Sequence, residues 1–201
     1  PPRLSLAIRG VGGQGNLFFG KVLAQVAFLA GYDDRNILKG ETHGMAQMGG
    51  PVISTFGCGE VFSPALVPGT ANVLIAMEKA EVLRPGFLDL LEPGGTVLMA
   101  DTRILPHGLK PEAYPSDEAI AAQLEGYRVV SVDVLSIALN LGDPKGRCAN
   151  VAMLGVLSTL PPFDVVPEAV WLQALRGISR KPALWDLNHA AFMAGRGMQK
   201  G

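Results

Sequence analysis

A glycine-rich turn, Gly10-Val11-Gly12-Gly13-Gln14-Gly15, constrains this chain more than any other feature. An apolar run from Leu4 to Ile8, within a predicted strand Leu4–Arg9, precedes the turn, and a helical pattern of apolar residues from Leu17 to Ala30 follows it. The order strand, turn, helix is typical of the start of an α/β fold. Glycines let the backbone turn tightly and approach a ligand, and the unpaired amides that open the helix carry a partial positive charge. We therefore predict a phosphate cradle here, and the alternative is a tight turn that binds nothing.

Further strand and helix patterns alternate along the chain. Four more runs rich in valine, isoleucine and leucine lack polar alternation, which is typical of strands buried on both faces: Val52–Phe56, Val73–Met77, Thr96–Ala100 and Arg128–Val132. The other helical patterns cover Ala80–Leu91, Ser116–Leu124, Val134–Leu141, Ala149–Leu160, Glu168–Gly177 and Ala183–Ala194. This alternation predicts a Rossmann-like α/β fold: an open, mainly parallel sheet flanked by helices on both faces, with a helical C-terminal part. We expect residues 1–201 to form a single domain.

Composition narrows the possible partners. Apolar residues make up 48% of the chain and charged residues only 17%, which favours burial of part of the surface against other subunits over a large core alone. Glycine, proline or charge interrupts every apolar stretch before 18 residues, so no membrane span is expected. The net charge is −1, and lysines and arginines form no cluster along the sequence, so nucleic acid is not an expected partner.

Cysteine usage limits the metal chemistry. The chain has two cysteines, Cys58 and Cys148, whereas an iron–sulfur cluster usually takes four. We therefore expect this chain alone to bind no cluster and no metal. A reduced, cytoplasmic setting is the simpler interpretation of two separated cysteines.

The segment Gly40–Pro51 is the second unusual feature, because glycine and proline recur through it and polar side chains stand between them. Its glycines predict an irregular loop, and long loops inside α/β domains are usually functional. Glu41, His43 and Gln47 supply the polar groups. The alternative is a flexible surface loop with incidental polar residues.

Catalytic groups are scarce. A nicotinamide site would require an acid about 20 residues after the turn, where Asp33 and Asp34 stand, but the strand that should end at that acid is missing. We prefer to interpret the pair as a solvated turn. His107 follows Pro106 in a turn, and His189 fits a packing role in the last helix. We predict no catalytic residue, so the chain is expected to bind and support rather than transform.

Several segments together resemble the gamma domain of 2-oxoacid:ferredoxin (acceptor) oxidoreductases. The resemblance is greatest to the beta subunit of indolepyruvate oxidoreductases and the gamma subunit of phenylglyoxylate dehydrogenases. It covers nearly the whole chain and is strongest over residues 8 to 100. The segments that carry it are the glycine turn, Ala30-Gly31-Tyr32, Glu41–Gly50, Phe62-Ser63-Pro64, Ala71–Glu78 and Pro93–Val97.

The resemblance implies a subunit of a complex that oxidatively decarboxylates a 2-oxoacid to an acyl-coenzyme A. Thiamine diphosphate and iron–sulfur clusters would then lie in thiamine-binding and ferredoxin-like partner subunits, and coenzyme A at or near this chain. The candidate cofactor-binding residues are Gly10, Gly12, Gly13, Gln14, Gly15, Asn16, His43, Gly44 and Gln47. Two other hypotheses stay open: a self-sufficient Rossmann oxidoreductase using NAD or a flavin, and a purely structural assembly subunit whose glycine turn is empty.

Overall fold

A computed structural model of the chain describes residues 1–43, 52–60, 66–105 and 107–198. Within these ranges six strands form one sheet in the order β2-β3-β1-β4-β5-β6. β1, β4, β5 and β6 are parallel neighbours, whereas β3 is antiparallel to both β1 and β2. The prediction of a mainly parallel sheet is confirmed. The strands are β1 (Leu4–Arg9), β2 (Ile37–His43), β3 (Val52–Cys58), β4 (Ala71–Ala76), β5 (Leu91–Ala100) and β6 (Arg128–Val132).

Six α-helices accompany the sheet in the described residues. They are α1 (Gly13–Leu29), α2 (Asp117–Gln123), α3 (Val134–Asn140), α4 (Ala149–Leu157), α5 (Glu168–Ile178) and α6 (Pro182–Gly197). Short 3₁₀ turns cover Asp34–Asn36, Lys79–Leu83, Leu88–Leu90, Pro111–Ala113 and Phe163–Val165. No helix in the described part of the chain is long and apolar enough to cross a membrane.

Alternate residues of the central strands belong to two cores. Leu6 and Ile8 of β1 join the larger core with residues of α1, α3, α4, α5 and α6, while Ala7 faces the smaller core with Ile120 of α2. Both faces are therefore covered, which is why the strands lack polar alternation. Among the described residues the coverage is unequal, because five helices pack on one face, whereas α2 and 3₁₀ turns pack on the other.

Two sequence predictions about elements are wrong. Ala80–Leu91 is not a helix but two 3₁₀ turns, because Pro85 holds the preceding Arg84 in an extended conformation and Gly86 has φ +82°. The first part of the glycine-rich segment is not irregular, since residues 40–43 complete β2 and pair with β3. Glycine has a low preference for strands, and the backbone hydrogen bonds to β3 stabilise the extended conformation of this segment.

The crossing of α4 and α6 brings two backbones into direct contact. A Cβ atom at Gly155 would lie 2.1 Å from the carbonyl oxygen of Phe192, and one at Gly195 would lie 2.0 Å from that of Ala152. Every residue from Val151 to Leu157 is buried, so α4 is packed on all sides.

Candidate functional site

The glycine turn lies between β1 and α1, where its first residue must be glycine. Gly10 has φ +83°, and a Cβ atom there would lie 3.3 Å from the amide nitrogen of Met77. The end of β4 thus approaches the turn closely. Gly15 has a packing role, because a Cβ atom there would lie 3.2 Å from Asn150 Nδ2.

The N-terminus of α1 has no side-chain cap. Gly12 is the N-cap residue, no side chain accepts a hydrogen bond there, and the first turn contains no acid. The amide of Asn16 donates to the Gly12 carbonyl oxygen at 2.9 Å, so the amides of residues 13–15 have no acceptor within the helix. Gly12 is exposed, with nothing within 4 Å of where its Cβ atom would be. These open amides and the helix dipole can hold an anion.

The first residues of the segment Gly40–Pro51 lie at the same edge of the sheet as the glycine turn. β1 and β2 both run antiparallel to β3, so they point the same way, and their carboxyl ends, Arg9 and His43, lie at one edge. Gly44 and Gln47 lie outside the described residues, as do the side chains of Gln14 and His43. Their proposed roles stay predictions.

A cleft of about 270 Å³ lies between α1 and the strands β2 and β3. Asn16, the candidate residue that directly follows the glycine turn, lines this cleft together with Gly40 and Glu41, from the second segment. The structure therefore brings described parts of both predicted segments to one concave site. Lys21, Lys39 and Ser54 also line the cleft. Sequence reasoning missed these three, because their meeting depends on β3 lying between β1 and β2.

A second concavity, of about 700 Å³, lies on the other side of Gly10. At this site Glu78 is buried, and its carboxylate accepts hydrogen bonds from the Tyr114 hydroxyl and from the amides of Ala80 and Ile104. Burial raises the pKa of Glu78 above its ordinary value. Its neighbour Glu81 pairs with Arg9 at 3.0 Å.

The acids required by a nicotinamide site lie at the wrong edge. Asp33 precedes β2, where it binds its own neighbour Arg35 through two contacts, 3.1 and 2.7 Å long. This pairing lowers the pKa of Asp33 to about 2. Because β2 spans seven residues at about 3.3 Å each, Asp33 lies roughly 20 Å from the edge that holds the glycine turn. The interpretation of Asp33 as a solvated turn residue agrees with this placement.

The remaining candidates give no catalytic cluster in the residues that the structure describes. His189 lies beside Trp185 on α6, with 5.2 Å between ring centroids, and His107 is exposed in a turn. Cys58 and Cys148 are buried and unpaired with each other. Over the same residues no group of three histidines, cysteines or acids is arranged to hold a metal ion.

Comparison with known proteins identifies the family of the chain. A family model described as pyruvate ferredoxin/flavodoxin oxidoreductase matches residues 5–198. Subunit IorB of indolepyruvate oxidoreductase from Archaeoglobus fulgidus is 35% identical over 159 residues, which cover 77% of this chain and 76% of that subunit. The same subunit from Thermococcus kodakarensis is 33% identical over 197 residues, covering 95% and 93%.

Two solved structures share the fold at low identity. The pyruvate oxidoreductase subunit PORC from Thermotoga maritima superposes with a TM-score of 0.68 at 20% identity, covering 97% of this chain and 96% of that subunit. The 2-oxoglutarate:ferredoxin oxidoreductase from Magnetococcus marinus, solved with 2-oxoglutarate, coenzyme A and succinyl-coenzyme A, gives a TM-score of 0.71 at 19% identity. The likeness covers all of this chain and 31% of that longer one.

The family model and these relatives place the α/β chain in the 2-oxoacid oxidoreductase class. The chain belongs to the pyruvate ferredoxin/flavodoxin oxidoreductase family. Within it, the chain is a subunit of a 2-oxoacid:ferredoxin oxidoreductase, as its sequence motifs predict.

Proposed function

We propose that this chain is the gamma-type subunit of a complex that oxidatively decarboxylates an aryl 2-oxoacid, such as indolepyruvate or phenylglyoxylate, to its acyl-coenzyme A. The names of the curated relatives support an aryl substrate. The thiamine diphosphate and the iron–sulfur clusters would reside in thiamine-binding and ferredoxin-like partner subunits. This chain would help bind coenzyme A and complete the assembly, with residues 1–201 as a single gamma-type domain.

One observation carries the coenzyme A role: the uncapped start of α1 at the exposed Gly12. Its three open amides fit a phosphate group, and the adjacent cleft leads from Asn16 towards Lys39. The bound ligands of the structurally similar Magnetococcus marinus enzyme include coenzyme A, which agrees with this proposal. In the reaction coenzyme A supplies the thiol that accepts the acyl group. The chain's own contribution is to bind and orient it through the turn, with His43, Gly44 and Gln47 proposed as further contacts.

Exposed apolar side chains support a role in assembly. Exposed apolar side chains that lie together favour burial against a partner, and Ile104 and Leu109 line one concavity beside Gly10. The described residues with such exposure include Leu17, Phe28, Val67, Ile104, Leu105, Leu109, Leu135 and Leu139.

Substitution Gly12→Val in the assembled complex tests the coenzyme A role. Gly12 has φ −73° and ψ 173°, a conformation that valine adopts readily, and its surroundings are open. The chain should therefore fold and assemble, while the added side chain blocks the approach of a phosphate. We expect the apparent KM for coenzyme A to rise by about tenfold or more, as for the loss of a charge-assisted hydrogen bond.

Gly177→Ala is the matched control, because a Cβ atom at Gly177 also meets open space and lies in α5, away from the turn. It should leave both assembly and the KM unchanged. An unaltered KM in the Gly12→Val complex would refute the role of the turn in coenzyme A binding.

A further inference from the structure

The concavity beside Gly10 lies at the same edge of the sheet as the glycine turn. Gly10 directly follows β1 and Ile104 follows β5, and β4 lies between these two strands and is parallel to both. Both residues line this concavity, which has a volume of about 700 Å³. A protein that approaches the glycine turn from this edge therefore also meets the concavity.

Apolar side chains at the concavity are exposed to water. Ile104 is 57% exposed and Leu109 is 38% exposed, and Leu83 and Pro85 line the same concavity. Ile104 and Leu109 both belong to the long connection between β5 and α2, and long connections in compact domains are usually functional. Apolar side chains that lie together on a surface favour burial against another protein.

Arg84 is a cation at this concavity whose guanidinium is open to a further acid. Its side chain is 46% exposed, and its one ion pair within the described residues joins Nε to Glu81 Oε2 at 3.6 Å, which is too long for a hydrogen bond. The same oxygen accepts a hydrogen bond of 3.0 Å from Nε of the buried Arg9. Because Arg9 holds the acid that the two arginines share, the donors of Arg84 are available to another carboxylate.

The second acid at the concavity, Glu78, forms no ion pair with Arg84 within the part of the chain that the structure describes. Glu78 is buried, and its carboxylate accepts hydrogen bonds from the Tyr114 hydroxyl and from the amides of Ala80 and Ile104. Burial raises the pKa of Glu78 more than the charge of Arg84 lowers it, which favours the neutral acid. The exposed charge at the concavity is therefore positive, and its complement is an apolar segment that carries a carboxylate.

We infer that the concavity beside Gly10 is a docking site for a surface segment of the thiamine-binding partner subunit, in which an apolar side chain packs against Ile104 and Leu109 while an acidic side chain pairs with Arg84. This inference rests on the proposed function, because transfer of the acyl group to coenzyme A requires the thiamine-bound group to approach the edge that carries the glycine turn. It assigns the contact with that partner to one described surface of the chain.

Reconstitution of the complex tests this docking site. The 201-residue chain is combined with its separately purified partner subunits, and biolayer interferometry measures the Kd between the chain and the thiamine-binding subunit. Ile104→Gln and Arg84→Gln should each raise this Kd about tenfold or more, because the first removes buried apolar area and the second removes a charge-assisted hydrogen bond. The Kd of the parent chain should rise with salt concentration, and Arg84→Gln should weaken that dependence.

Two glutamine variants at other exposed positions are the matched controls. Val165 is 55% exposed, close to the 57% of Ile104, and Arg180 is an exposed arginine two residues after α5. Neither residue lines the concavity, so Val165→Gln and Arg180→Gln should leave the Kd unchanged. None of the four substitutions alters a buried side chain, and equal Tm values of the isolated chains verify that each variant folds.

The results separate this docking site from the proposed function. Parent-like Kd values in Ile104→Gln and Arg84→Gln overturn the inference and leave the role of the chain in assembly standing. A raised Kd in only one of the two variants also overturns it, because the occupant then lacks either the apolar or the acidic group. Loss of a dimer of the chain in either variant, seen by analytical ultracentrifugation with an unchanged Kd, assigns the surface to a second copy instead. Failure of the parent chain to bind any partner subunit contradicts the proposed function itself.

Discussion

Cys58 and Cys148 illustrate how burial decides the chemistry of a single residue. Their side chains are 0% and 2% exposed, and burial raises the pKa of each thiol to about 12. A free cysteine has a pKa of about 8.5, and only the thiolate reacts rapidly. Both thiols should therefore be inert in the folded chain.

We expect a disulfide reagent at about pH 9 to label the native chain at least about 100-fold more slowly than the denatured chain, because the thiols remain protonated and covered. Denatured chain should react at both cysteines, the total number in the sequence. The rate is measured from the absorbance of the thiol that the reagent releases, with and without denaturant. Fast labelling of the native chain would contradict the buried placement of these residues.

Residue by residue, the local part of the site was predictable and the long-range part was not. The glycine turn and Asn16 follow from a strand, glycines and a helix in close succession. Ser54 and Lys39 have no such signal, because their meeting with Asn16 depends on β3 entering the sheet between β1 and β2. Asp33 has the spacing of a ribose-binding acid, but it lies at the far edge of the sheet.

Among the described elements, the crossing of α4 and α6 brings two helix backbones so close that only glycine fits at the contact. Gly155→Ala or Gly195→Ala would place a methyl group about 2 Å from a carbonyl oxygen of the other helix. We expect each substitution to lower the free energy of unfolding by about 3 kcal/mol or more, since backbone cannot yield as a flexible side chain does. Urea unfolding of the chain measures this loss.

The control for that prediction is Gly177→Ala in α5, where a Cβ atom meets nothing within 4 Å. Alanine there should leave stability unchanged or raise it by about 0.5–1 kcal/mol, because glycine disfavours helix. Equal effects at the three positions would contradict the close α4–α6 contact.

The bounds of elements with continuous apolar patterns were predictable from the sequence. Elements whose form depends on a single proline or glycine, or on a neighbouring strand, were not. β1 and β6 have the predicted bounds, because each is a compact apolar run with breakers beside it. Apolar spacing over Ala80–Leu91 resembles a helix, yet Pro85 and Gly86 break it into 3₁₀ turns. β2 has a glycine and three charged or polar residues in its last four positions, so only the neighbouring β3 makes it a strand.

For the whole molecule, the dependence on partners gives the sharpest expectation. We expect the isolated 201-residue chain to show no 2-oxoacid-dependent dye reduction, because its two buried cysteines are too few for an iron–sulfur cluster, which usually takes four. The assay uses indolepyruvate, phenylglyoxylate and coenzyme A with an artificial electron acceptor, and the assembled complex serves as the positive control. Substrate-dependent reduction by the pure chain would contradict the division of labour proposed here and favour a self-sufficient enzyme.

The position of β1 in the sheet has a consequence for how the chain is made. β1 is the earliest of the six described strands in chain order, yet it occupies the centre, and its two neighbours are β3 and β4. Leu4, Leu6 and Ile8 thus remain without strand partners until residues beyond Cys58, and then Ala76, have been synthesised. During that interval a nascent chain exposes an apolar strand with two open edges, a form prone to aggregate. Translation speed and chaperone supply while residues 4 to 76 are being synthesised should therefore affect the yield of folded chain more than they do over the later described strands.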